Sequence, residues 1–149
     1  MEGKILVVDD DSEIRFALKE ALEREGYFVT LAGDAKTAKE ELSRGFFDLV
    51  ISDVKMPKQD GVCLLSYIKA NMPLLPVVLI TAYGTINDAV RAIKEGAFDY
   101  IQKPFTLEAL YGVVRRALCT GNGKIVYEGF SREVDISRFK KIYFDSVGT

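Results

Sequence analysis

The sequence predicts an α/β protein in which helices cover both faces of one parallel, doubly wound sheet. The first observation is an alternation, over residues 1–118, of short apolar runs with stretches whose apolar residues recur at helical spacing. Uninterrupted apolar runs are typical of strands buried on both faces, and their regular alternation with helices is typical of parallel sheets. The second observation is that acidic, hydroxyl and lysine side chains lie at or just past the ends of the predicted strands, at the edge where such sheets bind ligands.

The predicted strands are short and mostly apolar. Tyr27, Val29 and Leu31 alternate with other residues, which indicates a strand with two different faces. The remaining strands are continuous apolar runs, and Pro76 marks the start of one of them. In chain order, the predicted strands cover residues 5–8, 27–31, 49–52, 77–80 and 100–101.

Each helix is predicted from apolar residues that recur at intervals of three and four. Asp11 or Ser12 is placed to cap the first helix, and Gly26, Gly45 and Gly96 are placed to end three of them. The second helix is predicted over residues 35–42. The apolar stripes of the other four are Ile14, Ala17, Leu18, Ala21 and Leu22; Leu64, Leu65 and Ile68; Ile86, Ala89, Val90 and Ile93; and Leu107, Leu110, Val113, Val114 and Ala117.

Composition excludes several classes of function. The net charge of −2 and the pI of about 5.3 leave no basic excess, so we expect no direct nucleic-acid binding by this chain. The absence of histidine excludes His–metal sites, Ser-His-Asp triads and a phosphohistidine on the chain itself. Cys63 and Cys119 stand far apart and predict thiols in a reducing, cytoplasmic compartment. No apolar stretch approaches membrane-spanning length.

Acidic residues at two predicted strand ends indicate a metal site. Asp9, Asp10 and Asp11 follow the first strand, and Asp53 follows the third. Carboxylates held close together raise one another's pKa, and a hard divalent cation with oxygen ligands, most commonly Mg²⁺, relieves that repulsion. The competing interpretation is that the three acids only cap the first helix. We expect that role for Asp11, but a cap needs only one acidic side chain.

Residues 119–149 depart from the alternation. The run from Thr120 to Gly123 is a turn or linker signal, after which residues 124–130 are compatible with a strand and 131–144 with a short helix. The glycines before Lys124 lack the P-loop spacing, and Ile125 stands where that motif requires Ser or Thr. We therefore expect one domain over residues 1–118 and a linker or small C-terminal extension over 119–149.

The chain resembles a two-component response-regulator receiver domain, most clearly the receivers of NtrC-type transcriptional activators. The residues that carry the resemblance are Asp9-Asp10, Asp53-Val54-Lys55-Met56-Pro57 with Asp60-Gly61, Thr81-Ala82, and Lys103-Pro104-Phe105. The resemblance covers about residues 3–118. It implies a flavodoxin-like five-stranded sheet of order 2-1-3-4-5 with five surrounding helices, and a cis bond between Lys103 and Pro104.

The resemblance also implies a role for each site residue. Asp53 would accept a phosphoryl group as nucleophile. Asp10, Asp53 and the backbone carbonyl of Lys55 would bind Mg²⁺, and Asp9 would hold a metal-bound water. Lys103 and the Thr81 hydroxyl would contact the phosphoryl oxygens.

A switch and its partners follow from the same resemblance. Phosphorylation would draw Thr81 toward the phosphate and let Tyr100 turn inward, which changes the face formed by the fourth helix, fifth strand and fifth helix. That face would also support a possible homodimer. A sensor histidine kinase would supply the phosphoryl group, and the output would be transcription control. Tyr83, two positions past Thr81, would shield the phosphate from water.

Three other interpretations remain open at this point. In an aspartate-nucleophile phosphatase, a second Asp stands two residues past the nucleophile, where this chain has Lys55. A flavodoxin-like FMN carrier needs a hydroxyl- and glycine-rich phosphate loop, whereas Asp9-Asp10-Asp11 would repel a phosphate. A phosphorylation-independent interaction domain of the same fold would not need every site residue to be present.

Overall fold

The computed structural model describes residues 3–55, 61–81 and 86–121. Strands and helices alternate throughout, as the sequence predicts. The strands are β1 (Lys4–Val8), β2 (Phe28–Ala32), β3 (Leu49–Asp53), β4 (Val77–Thr81) and β5 (Asp99–Gln102). The helices are α1 (Ser12–Arg24), α2 (Ala35–Arg44), α3 (Gly61–Asn71), α4 (Ile86–Lys94) and α5 (Leu107–Gly121).

All five strands pair in parallel, in the order β2-β1-β3-β4-β5, which confirms the predicted topology. Strand β1 lies between β2 and β3, and β3 is the central strand of the sheet. The connection from β1 leads to β2 on one side, and the next connection crosses back to β3 on the other side. The carboxyl ends of β1 and β3 therefore flank the point where the strand order reverses, the usual place for a ligand site in this architecture.

The sheet separates two apolar layers. One face of the sheet, including Leu6, Val50 and Leu79, packs against α2, α3 and α4. The opposite face, including Val7 and Ile51, packs against α1 and α5. Because β1, β3 and β4 are covered on both sides, they must be apolar at almost every position, which explains why these runs are so clear in the sequence.

Side-chain caps fix two of the helix starts. Asp11 caps α1, and its carboxylate accepts a hydrogen bond of 2.9 Å from the backbone N–H of Glu13, as expected. Asp34 caps α2 in the same way and accepts from the N–H of Thr37 at 2.8 Å. Each carboxylate satisfies a backbone donor that has no partner within its helix.

Three residues of the predicted apolar stripes are exposed instead. Ala17 lies on the solvent side of α1, Val90 of α4 is 47% exposed, and Leu107 at the start of α5 is 47% exposed. All three lie at the border or end of a stripe, where spacing alone does not fix the side that faces the sheet. Helix α5 also runs past the predicted boundary at residue 118 to Gly121. Tyr83 and the elements predicted within 122–149 lie outside the described residues.

None of the helices in the described part of the chain combines the length and the apolarity that crossing a membrane requires. Cys63 and Cys119 are both exposed and form no disulfide.

Candidate functional site

The predicted acidic residues meet at the carboxyl edge of the sheet. Asp9 and Asp10 follow β1, Asp53 ends β3, and one carboxylate oxygen from each lies within 4.8 Å of the others. Asp9 is buried at 3% exposure, Asp53 is half-buried and Asp10 is exposed. The cluster thus has a closed inner side and an open outer side, so a ligand can reach it from solvent.

Asp9 is held by four separate contacts. Its Oδ1 accepts from the backbone N–H of Asp11 at 2.9 Å, and its Oδ2 lies 3.6 Å from the Nζ of Lys103. Its own N–H donates to the carbonyl of Ala32 at 3.1 Å, and its carbonyl accepts from the Nη1 of Arg15 at 2.6 Å. The buried carboxylate at the centre of the cluster is therefore fixed in both backbone and side chain.

Lys103 reaches the cluster from the end of β5, the strand at the edge of the sheet. It follows β5, and its backbone N–H donates to the carbonyl of Thr81 at 2.7 Å. The bond from Lys103 to Pro104 is cis, as expected. The side chain is partly buried, and its ammonium beside Asp9 is the positive charge that the sequence predicts at this edge.

Thr81 ends β4 and is buried at 1% exposure. Asp53 is in register with Ile80, and the N–H of Val54 donates to the carbonyl of Ile80 at 2.9 Å. Thr81 is therefore one residue further along the same edge than the partner of Asp53. This places Thr81 on the strand between the acidic cluster and Lys103.

Tyr100 lies inside the core rather than at the surface. It is 3% exposed on β5 and belongs to the layer that includes Ala89 and Ala92 of α4. Tyr100, for which the resemblance implies a switching role, therefore packs in the apolar layer between the sheet and α4, on the strand that leads to Lys103.

The electrostatics of the cluster favour a cation. Burial raises the pKa of Asp53 to about 6, and the negative charge of Asp9 adds to this, while Lys103 and a hydrogen bond from the N–H of Lys55 act in the opposite direction. Burial also raises the pKa of Asp9, against the effects of the Asp11 N–H and Lys103. The ligand set consists of oxygen atoms, which fits Mg²⁺. The role of the Lys55 carbonyl stays a prediction.

The sequence does not predict the structural role of two residues next to the site. Arg15, in the first turns of α1, grips the Asp9 carbonyl, and the nearest signal was only its position on the helix that follows the acidic run. Gly61 begins α3 beneath Asp53; the sequence pattern includes it but gives no reason for a glycine there. Both roles depend on how a strand end and the helix after it pack together, which the spacing of apolar residues does not reveal.

Comparison with known proteins agrees with this geometry. Residues 5–115 match the family described as the response regulator receiver domain. Over 116 residues the chain is 47% identical to the DNA-binding transcriptional regulator NtrC of Bradyrhizobium sp. (strain RP501 Parasponia), a match that covers 78% of this chain and 24% of that protein. The chain thus spans about a quarter of the length of the curated relatives it matches.

Solved structures give the same result. The crystal structure of the receiver domain of NtrX from Brucella abortus superposes with a TM-score of 0.75 at 42% identity, covering 78% of this chain and 98% of that one. The solution structure of the beryllofluoride-activated NtrC4 receiver domain dimer gives a TM-score of 0.76 at 36% identity, with coverages of 79% and 98%. The chain therefore belongs to the response regulator receiver domain family: it is a phosphorylation-activated signalling domain of the kind found in NtrC-type transcriptional regulators.

Proposed function

We infer that this domain accepts a phosphoryl group on Asp53 from a phosphohistidine of a sensor histidine kinase, in a reaction that requires Mg²⁺. The observation that carries the proposal is the cluster of Asp9, Asp10 and Asp53 carboxylates with the Lys103 ammonium beside it. Phosphoryl transfer depends mainly on positioning and charge neutralisation, and this cluster offers a carboxylate nucleophile with positive charge nearby.

In the transfer step, a carboxylate oxygen of Asp53 forms a bond to phosphorus as the bond from phosphorus to the donor imidazole nitrogen breaks. The imidazole takes up a proton from solvent, and Asp53 becomes an acyl phosphate. Asp53 must be ionised to attack. With a pKa of about 6, its carboxylate is mostly ionised at neutral pH even before a cation binds.

Asp10, Asp53 and the Lys55 carbonyl would hold Mg²⁺, with Asp9 on a metal-bound water. When bound, the cation neutralises the clustered carboxylates and the incoming phosphoryl oxygens. The Lys103 ammonium, which lies beside Asp9, would also be attracted to the phosphoryl oxygens, because they add negative charge at the same edge of the sheet. The hydroxyl of Thr81 donates to one of those oxygens.

We expect β5 to transmit the effect of phosphorylation from the site to the surface of the domain. Lys103 is joined to Thr81 by a backbone hydrogen bond, and Tyr100 lies three residues earlier on β5 under α4. Movement of Lys103 and Thr81 toward a phosphate therefore acts on the surface formed by α4, β5 and α5. A homodimer through that surface, and control of transcription by attached regions, are the outputs we expect.

The domain is expected to act as a switch rather than as an enzyme on outside substrates. Lys55 occupies the place where an aspartate-nucleophile phosphatase has its second Asp, so only slow self-hydrolysis of the acyl phosphate is expected. We assign the receiver domain to residues 1–118 and a linker or small C-terminal extension to residues 119–149. Helix α5 continues across this boundary as far as Gly121.

The test is intact mass after incubation with acetyl phosphate and Mg²⁺. Wild type should gain one phosphoryl group and Asp53→Asn none. Asp11→Asn is the matched control, because Asn is an equally good helix cap and Asp11 stands outside the three-carboxylate cluster. An equal gain in Asp53→Asn would overturn the assignment. If folded wild type gains nothing, a phosphorylated kinase must be offered, and failure there would favour a phosphorylation-independent interaction domain.

A further inference from the structure

An apolar groove opens at the edge of the sheet opposite to the acidic cluster. It has a volume of about 390 Å³ and lies where α2 ends before β3 and α3 ends before β4. Apolar side chains form most of its lining, namely Leu42, Phe46, Phe47, Met72, Leu74 and Leu75. The size and the apolar lining are those of a site that takes up a few side chains of a binding segment.

The rim of this groove carries the two most exposed large hydrophobic residues of the described part of the chain. Phe46 is 92% exposed and Leu74 is 86% exposed. One comes from each of the two loops that line the groove. Single exposed apolar residues are ordinary, but two that flank one apolar groove mark an interaction surface.

The groove lies far from the phosphoryl site. Asp53 is at the carboxyl end of β3, and the groove is at the start of β3, about 15 Å away along five residues of strand. None of its lining residues belongs to α4, β5 or α5. Neither the chemistry nor the output surface of the proposed switch explains it.

We propose that the groove is the docking site for residues 125–130 of the same chain. Helix α5 ends at this edge of the sheet: Leu118 packs against Gly3, where an added Cβ would stand 3.1 Å from the Leu118 Cδ1. The next residue, Lys4, donates its N–H to the Asp48 carboxylate at 2.9 Å and accepts from the Asp48 N–H at 2.7 Å. A chain of contacts thus links the end of α5 to the groove lining.

The segment after α5 has the length and composition to reach and fill the groove. The groove lies about two strand spacings, roughly 10 Å, from the start of β1, and an extended chain covers about 3.3 Å per residue. The stretch within reach supplies four apolar or aromatic side chains, Ile125, Val126, Tyr127 and Phe130. A segment of this size has no core of its own, so the groove would bury apolar surface on both partners.

Hydrogen–deuterium exchange of the full chain tests this without any phosphodonor, so the result does not depend on the proposed switch. Amides of residues 125–130 should exchange at least about tenfold more slowly than an unstructured chain. Replacing Phe46 and Leu74 together with Ser should remove that protection while the fold survives, because both side chains are exposed. Phe16→Ser is the matched control, since Phe16 is 61% exposed on α1, on the other face of the sheet.

A reciprocal variant makes the test independent of the groove residues. Ile125→Ser with Tyr127→Ser should speed exchange at residues 125–130 and also at the groove loops around Phe46 and Leu74. Exchange of the wild-type segment at the unstructured rate would overturn the proposal, as would protection that neither double variant alters. Protection that disappears on dilution would overturn it too, because the occupant would then be a second copy.

Discussion

The backbone carbonyl of Asp53 lies so close to Gly61 that only hydrogen fits between them. A Cβ built on Gly61 would overlap the Asp53 carbonyl oxygen and stand 3.0 Å from the Cα of Val54. The N–H of Gly61 also donates to the carbonyl of Val54 at 2.8 Å. The start of α3 is therefore seated directly against the strand end that presents the proposed nucleophile.

We predict that Gly61→Ala destabilises the domain by about 1–3 kcal/mol, because the new methyl group must push the β3 end out of place. Phosphorylation of Asp53 by acetyl phosphate should slow as well. Gly112→Ala is the matched control: nothing lies within 4 Å of the added Cβ on α5, so it should stabilise by about 0.5–1 kcal/mol. Urea unfolding measures both, and equal effects of the two substitutions would contradict the close approach.

Most of the fold was predictable because it depends on periodicity. The buried strands β1, β3 and β4 are apolar at nearly every position because helices cover both faces of the sheet, and such runs are easily recognised in a sequence. The carboxylates of Asp9 and Asp53 were predictable as neighbours for a related reason, since carboxyl ends of parallel strands share one edge. The errors at Ala17 and Val90 lie where a stripe meets solvent.

The parts of the site that the sequence does not explain depend on contacts between a strand end and the helix that follows it. Gly61 is explained only by the carbonyl of Asp53, and Arg15 only by the carbonyl of Asp9. Neither a glycine in a loop nor an arginine on a helix has a periodicity or a composition that distinguishes it. Backbone proximity of this kind follows from the assembled fold and not from local sequence.

The raised pKa of Asp53 predicts a stability that depends on pH in a defined direction. Below the ordinary pKa of 3.8, the carboxyl is neutral in both folded and unfolded states and costs nothing. As the pH rises to about 6, the unfolded state loses its proton first, so the folded state is progressively disfavoured. Above that range the cost is constant.

In the absence of divalent cations, Asp53→Asn should therefore raise the free energy of unfolding at pH 7.5 by about 1–2 kcal/mol. Conversion of the whole pKa shift of Asp53 into free energy would give a larger gain, but solvent screens this half-buried carboxylate. The gain should shrink as the pH falls through 6 and vanish near pH 3.5. Thermal unfolding in EDTA across this range measures it. A gain that is the same at both ends of the range would show that the charge of Asp53 is not its source.

Mg²⁺ should stabilise the folded domain, because the cluster exists only when β1 and β3 are assembled. At a Mg²⁺ concentration of about 100 times Kd, the gain should be about 2.7 kcal/mol. Asp10→Asn should weaken this response, whereas Asp11→Asn should keep it. The melting temperature with Mg²⁺ and with EDTA reports the difference. A Mg²⁺ response that survives in Asp10→Asn would place the cation elsewhere.

Arg15 should position Asp9 without taking part in the chemistry. Its Nη1 donates to the Asp9 carbonyl at 2.6 Å, and a Cβ added at Gly33 would stand 3.1 Å from that same nitrogen. Arg15→Ala should cost about 1–3 kcal/mol, because it leaves a partly buried carbonyl without its donor. The Mg²⁺ affinity should fall, since Asp9 is then held less firmly.

Arg24→Ala is the control for the loss of a positive charge on α1. Arg24 is exposed in the last turn, so its removal should change stability by no more than about 0.5 kcal/mol. Gly33→Ala should act like a weaker Arg15→Ala, since its methyl group displaces the guanidinium without removing it. Titration calorimetry with Mg²⁺ ranks the Mg²⁺ affinities of these variants. If Arg24→Ala weakened Mg²⁺ binding as much as Arg15→Ala, overall charge rather than the contact with Asp9 would be the cause.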